Sequence, residues 1–348
     1  MDDHLIGRMR EILAARDSER RVMAGANILF AQPGLDPIAL VPENISAIPV
    51  SLPRSRSAFV DGGLGDVFVS PSMCVHLVRI HSSIWSGTTR MRMHTQEAFV
   101  IVLPRRSGDS VVYEASFYSR DGFLLPTTPL TSPSVDRGHQ VPISSVANKV
   151  RAVLEARECE RLCEELDAGD VIVRDGLLHS SDGTEQAALD RALELAWTRR
   201  VCLAGLAKTA NLYTDFGDDA LRCADRLAEG MGVAWIMHPI ALQASELIPD
   251  PGIVKLHAKS RHVFRLDVLA NEKRSVRDIA SLLAVQSCDA AFLGYPYPLV
   301  LADRLARVPL RETQGLRCRL LAACKVQGAV LETDLASLDA HGILDALG

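Results

Sequence analysis

Two hydrophobic patterns divide the chain. Between residues 57 and 119, apolar and β-branched residues run or alternate over short stretches, predicting strands at 57–61, 66–70, 73–80, 98–103 and 111–119 in mostly antiparallel pairing. From Ile143 the pattern changes to helical stripes alternating with short apolar strands. Helices are expected at 144–167, 185–199, 217–229, 274–286, 298–307, 311–325 and 333–346. Strands fall between them at 170–175, 201–206 and 233–237, with a ribbon over 252–268. Ahead of both regions lies a charged amphipathic helix (about 3–25) and a proline-rich extended arm. The segment 121–142 carries four prolines and no periodicity, and reads as a loop or a small subdomain connection. This order predicts an α/β fold with a mixed β-sheet flanked by helices, an N-terminal helix and a C-terminal helical extension. The expected organisation is an arm over 1–50 and a main domain over 51–348.

Composition narrows the function classes. A chain of 348 residues with 48% hydrophobic content can bury a large core, and a formal charge of −5 excludes a wholly basic, histone-like binder. No apolar run approaches the ~20 residues of a spanning helix. The amino terminus has no signal-peptide core, so the expected location is cytoplasmic. The eight cysteines are scattered without a C-x-x-C pair, which predicts reduced core thiols and argues against a zinc knuckle.

The chemistry-bearing positions are acids at strand ends. In "AFVDGGLGDVFVS" the apolar run stops at Asp61, and two glycines follow, as a hairpin turn would have it. "DVIVRDGLLHS" repeats the arrangement, with Asp175 closing a buried strand ahead of Gly176. Two such acids suggest carboxylates converging at one edge of a sheet, where ligands of open α/β folds commonly bind. On the preceding helix, Glu158 lies one i±4 step from both Leu154 and Leu162, within the apolar stripe; Glu155 lies nearer its edge. A carboxylate on a core face must be paired, protonated or metal-bound. Glu158 is therefore the third acid, with Glu155 the alternative and a salt bridge to an arginine such as Arg151 the structural reading. Lys208 leaves a further apolar strand, and "GYPYPLVLADRLARV" sets Tyr295 ahead of a helix on whose flank Asp303 sits, its direction undecided by spacing. Carboxylates gathered from separate elements suit Mn²⁺ or Mg²⁺, and two such ions can drive phosphodiester hydrolysis. Neither G-x-S-x-G nor a P-loop is present.

Taken in order, "FVDGG", an acid in the following long helix, "VRDGLL", "GLAK" and "GYPYPL..AD" resemble the NurA nuclease family, partners of HerA-type hexameric ATPases. The resemblance runs from about residue 55 to 308. It implies an RNase H-like fold and a Mn²⁺- or Mg²⁺-dependent deoxyribonuclease, with two ions expected. By position, Asp61, Glu158 and Asp175 would bind metal, Lys208 would lie near the scissile phosphate, and Tyr295 would match the family tyrosine. Where the family pattern calls for histidine eight residues after that tyrosine, this chain has Asp303, which can still bind a hard cation. A homodimer docked on the ATPase ring is implied, acting in DNA-end resection during double-strand break repair or in a related defence role.

Lys255, Lys259 and Arg261 alternate with His257 in "VKLHAKSRHVFRLD", and on an extended strand they would project to one side and follow a DNA backbone together with Lys208. The competing reading is a non-catalytic subunit that loads DNA or regulates such an ATPase, kept open by Asp303. A third is RNA-directed cleavage by a related fold.

Overall fold

The computed structural model describes residues 3–19, 24–49, 51, 55–70, 72–119, 129–136, 138–272 and 274–326. In chain order, helix α1 (Asp3–Glu19) precedes a short strand β1 (Ile45–Ala47). Then come the long strands β2 (Arg56–Val69), β3 (Cys74–Ser86) and β4 (Thr89–Ser107), followed by β5 (Ser110–Tyr118) and β6 (Leu130–Pro133). The helical half runs α2 (Ser145–Glu165), β7 (Val171–Asp175), α3 (Gly183–Arg199), β8 (Cys202–Ala207) and α4 (Ala220–Leu227). It continues with β9 (Trp235–Met237), β10 (Asp250–Lys255) and β11 (Phe264–Leu269), and closes with α5 (Val276–Val285), α6 (Tyr297–Ala306) and α7 (Leu310–Val326). The expected helix at 333–346 and part of the 121–142 segment lie outside the described residues. The described part of that segment holds β6, which pairs with β5, and a small ribbon at 135–140, rather than loop alone.

The chain forms two compact units: Met1–Pro53, Gly176–Leu178 and Ala204–Pro296 make the first, and Arg54–Asp175, His179–Leu203 and Tyr297–Gly348 the second. In the first unit, β9 pairs antiparallel with β1 and β10, and β10 with β11. Its core gathers around Trp235, Met237, Ile240 and Ile253, against which α4 packs Ala220 and Ala224. In the second unit, β7 runs parallel to β2, and β2 to β6 follow one another antiparallel, so the sheet is mixed. Helix α2 covers one face, with α3 packed behind it through Val153, Ala156, Ala188 and Leu189. Helix α7 contributes Leu316, Leu320 and Leu321 to an apolar cluster with Val67, Phe68, Val75 and Leu77.

One expectation is overturned. Asp61-Gly62-Gly63-Leu64-Gly65-Asp66 is not a turn: β2 is a single 14-residue strand that runs through it. Its pairing with β3 is continuous from Arg56↔Ser86 to Val69↔Cys74, with one bulge between Asp66 and Phe68. The glycines serve close approach instead. A Cβ at Gly62 would fall 2.5 Å from Glu155 Oε1 on α2, and one at Gly63 would overlap the Ala306 carbonyl at the end of α6. Successive residues of a strand face opposite sides. Gly62 therefore marks the α2 face, Gly63 the α6 face, and the two helices clamp the middle of β2 from both sides.

The cysteines are thiols among the described residues, with five buried as expected, whereas Cys288 and Cys318 are exposed. No described helix is long and apolar enough to cross a membrane.

The clamp predicts opposite outcomes for two glycine substitutions. Gly63→Ala should destabilise the protein by about 1–3 kcal/mol, because helix backbone rather than a flexible side chain must yield. Gly315→Ala, inside α7 with no atom within 4 Å of the added methyl, should stabilise by up to about 1 kcal/mol. Urea unfolding midpoints of the two variants check both signs.

Candidate metal centre

Face alternation determines what the middle of β2 presents. Asp61 has the parity of Gly63 and so faces α6; Asp175 ends β7, which runs parallel to β2 with Arg174 in register with Val60, and it shares Asp61's face. Helix α6 lies over this face and carries Asp303. Asp61, Asp175 and Asp303 each offer a carboxylate oxygen within 4.8 Å of the others. Asp61 is buried and the other two are half-buried. The Gly62 amide donates to Asp61 Oδ1 at 2.7 Å, fixing that carboxylate against its own strand. Asp303 also meets Arg307 at 3.2 Å, one turn along the helix. Gly176, at φ 124°, turns the chain out of β7 immediately after Asp175.

Glu158 is not in this group. It is buried on the α2 face, where Arg161 grips it through two bonds of 2.7 and 2.9 Å and Ser82 donates to it at 2.6 Å. Glu155, also fully buried, pairs with Arg151 and, at 3.0 Å, with Arg174. Of the two helical acids it is Glu155 that lies against β2, in the space Gly62 leaves on the α2 face, opposite to the face of Asp61. Residue spacing on one helical stripe does not separate these two positions, which differ by less than one turn.

Lys208 and Tyr295 belong to the first unit. There the Lys208 ammonium sits 5.0 Å above the Tyr295 ring, and the ring is fully buried in an aromatic cluster with Phe264 and Phe292. The basic row differs from its expected form. Strand β10 ends at Lys255, which pairs with Asp225 at 2.8 Å, and the Ser260 amide then reaches back to the His257 carbonyl in a turn. Lys259 and Arg261 are exposed on this connection rather than in line along a strand.

His81 escaped the sequence reading. It lies directly opposite Asp61 on β3 and is 1% exposed. Burial lowers its pKa from 6.5 to about 4; nearby Glu158 opposes the shift, while Arg90 and His94 add to it. The signal was the polar alternation in "HLVRIHSSIW", which reads as a half-exposed strand although the structure buries it.

The NurA domain, as a family, matches residues 127–308, just over half of the sequence. The chain belongs to the NurA family. Among solved structures, the NurA nuclease from Sulfolobus solfataricus shares its fold at a TM-score of 0.56 and 14% identity, covering 93% of this chain and 97% of that one. Aa-Ago with externally bound siRNA aligns at a TM-score of 0.31 and 11% identity over 72% of this chain and 27% of its own, too low to indicate a common fold. No curated protein matches by sequence. The NurA match ends at Val308, just beyond α6, so it includes Asp175 and Asp303, whereas Asp61 lies ahead of it.

The buried histidine predicts an acid-sensitive stability. His81 is neutral in the folded protein down to about pH 4, whereas the unfolded chain takes up its proton near 6.5. Its contribution is therefore complete above pH 6.5 and is lost as pH falls towards 4, by about 3 kcal/mol. Denaturant unfolding across this range should show His81→Gln losing correspondingly less stability than the parent chain.

Proposed function

We propose that this chain is a divalent-cation-dependent DNA nuclease whose ligands are Asp61, Asp175 and Asp303. The observation that carries the reading is the convergence of three carboxylates from a mid-strand, a strand end and a helix in a member of the NurA family. The donor set fits the group: it is all oxygen, with no thiolate or imidazole, as Mn²⁺ and Mg²⁺ prefer. One or two such ions would supply Lewis-acid stabilisation at a phosphate and a water of lowered pKa.

The residues divide the remaining work. Asp61, anchored by the Gly62 amide and buried, sets the position of the site. Asp175 and Asp303 are more open and leave room for the substrate phosphate. Neither helical acid joins the cation in this reading: Glu155 is held by Arg151 and Arg174 on the α2 face, and Glu158 stabilises α2 through Arg161 and Ser82. Lys208 offsets phosphate charge, a role carried by the family resemblance, and Tyr295, the family tyrosine, is buried beneath its ammonium. The substrate is DNA, its ends processed in repair or defence by a homodimer working with a HerA-type hexameric ATPase in the cytoplasm. Lys255, Lys259 and Arg261 are secondary backbone contacts, each acting singly. A non-catalytic loading subunit is disfavoured, since the departure that kept it open, Asp303, supplies a carboxylate to the group.

Purified Asp61→Asn, Asp175→Asn and Asp303→Asn proteins should each lose Mn²⁺-dependent cleavage of linear DNA by at least the roughly 10–100-fold typical of losing even an outer-shell partner. Their circular dichroism should be unchanged. Glu158→Gln, outside the acid group, should retain cleavage. Parallel RNA and hybrid substrates report the substrate class. Full activity of the Asp61 and Asp175 variants would overturn the assignment.

A further inference from the structure

The three long strands of the second unit carry a polar row that the three acids do not account for. Asp61 on β2 is paired with His81 on β3, and His81 with Thr95 on β4. Directly opposed residues of antiparallel strands share a face, with Cβ atoms ~5 Å apart. Asp61, His81 and Thr95 therefore line up across the face that α6 covers and from which Asp303 reaches the other two acids.

The His81 ring is anchored at one nitrogen only. Nδ1 lies 2.7 Å from Thr95 Oγ1, a side chain on the exposed part of β4. Nε2 is buried and meets no hydrogen-bonding protein atom. A Thr95 hydroxyl donating to Nδ1 leaves the proton on Nε2 and makes that atom a donor. Buried donors are retained where they have a partner. The neighbouring carboxylate is Asp61, and a carboxylate that binds a cation through one oxygen keeps the other for an outer-shell donor that fixes its orientation.

We propose that His81 is a positioning residue for Asp61, its Nε2–H donating directly or through one water to the Asp61 carboxylate when the site holds its cation, with Thr95 setting the tautomer. The proposal rests on the reading of Asp61, Asp175 and Asp303 as a cation site. It adds a second strand to the site's support: β2 supplies the ligand, and β3 holds it in place.

Calorimetric titration of the full chain with Mn²⁺, with free Mn²⁺ followed by electron paramagnetic resonance, tests this without reference to activity. His81→Leu should raise the Mn²⁺ Kd by about 10–100-fold. His81→Gln, whose amide nitrogen reaches the Nε2 position, should recover most of that loss. Thr95→Val, at an exposed position where folding is not at stake, should weaken binding severalfold with an unchanged melting temperature. Mn²⁺ affinity equal to the parent's in folded His81→Leu, or in Thr95→Val and His81→Gln together if the leucine variant does not fold, would overturn the proposal. Asp61→Asn separates the two readings: its loss of Mn²⁺ binding alongside normal binding by the His81 variants rejects the positioning role alone. Normal binding by Asp61→Asn rejects the cation site itself.

Discussion

The site depends on a steric constraint: two helices must touch the backbone of one strand. The last turn of α6 lies where any side chain at residue 63 would be, and Glu155 of α2 lies where one at residue 62 would be. A glycine pair in mid-strand forgoes side-chain packing and carries an entropy cost, so its place in the longest-paired region of the sheet requires a return. That return is proximity. Only with Gly63 bare does α6 come down far enough for Asp303 to share a 4.8 Å sphere with Asp61 and Asp175.

The same clamp brings carboxylates to both faces of the strand. On the α2 face, two fully buried carboxylates are neutralised within the protein, Glu155 by Arg151 and Arg174 and Glu158 by Arg161. Removing one partner of such a pair would leave an uncompensated buried charge, which is why these arginines are as much a part of the fold as the leucines around them. On the α6 face the three aspartates gather at one point, and Arg307 engages the outermost, Asp303. Convergence, rather than burial, marks the three aspartates as candidate ligands, since Glu155 and Glu158 are the most buried of the five.

How much of this was legible in the sequence follows from the range of the interactions involved. Asp175 was placed correctly because the apolar run and the following glycine are local signals, and α2 and α3 were placed because their stripes are long. Asp61 was marked as chemically important but assigned to a turn. Asp-Gly-Gly reads locally as a turn, and its actual cause, contact with helices some 90 and 240 positions away, leaves no local trace. The choice between Glu155 and Glu158 fails for a related reason: both lie on the core side of one helix, and which of them meets β2 is decided by the strand's missing side chain. The basic row at 255–261 satisfied the alternation rule, yet a turn at His257–Ser260 interrupts the strand that the rule presupposes. His81 lies one residue past the strand expected over 73–80, and the polar run His81-Ser82-Ser83 carries no local sign of burial. It is the overlying layer that makes its polar face internal.

Asp303 in place of the expected histidine changes the charge of the centre rather than its geometry. A neutral imidazole beside two aspartates would make a site of formal charge −2, whereas a third ionised carboxylate makes it −3. Like charges this close repel one another. A cation held there, as proposed, would offset that repulsion and would stabilise the clamped arrangement of β2 and α6 to the extent that it binds the folded state alone. The replacement also removes the one softer ligand from the set. An all-carboxylate centre favours hard cations and loses the preference for nitrogen-liking metals that an imidazole would bring. On this argument Asp303 is a change of ligand type within a working centre, and the burden of orienting a more repulsive set of acids falls on the groups behind them, the Gly62 amide among them.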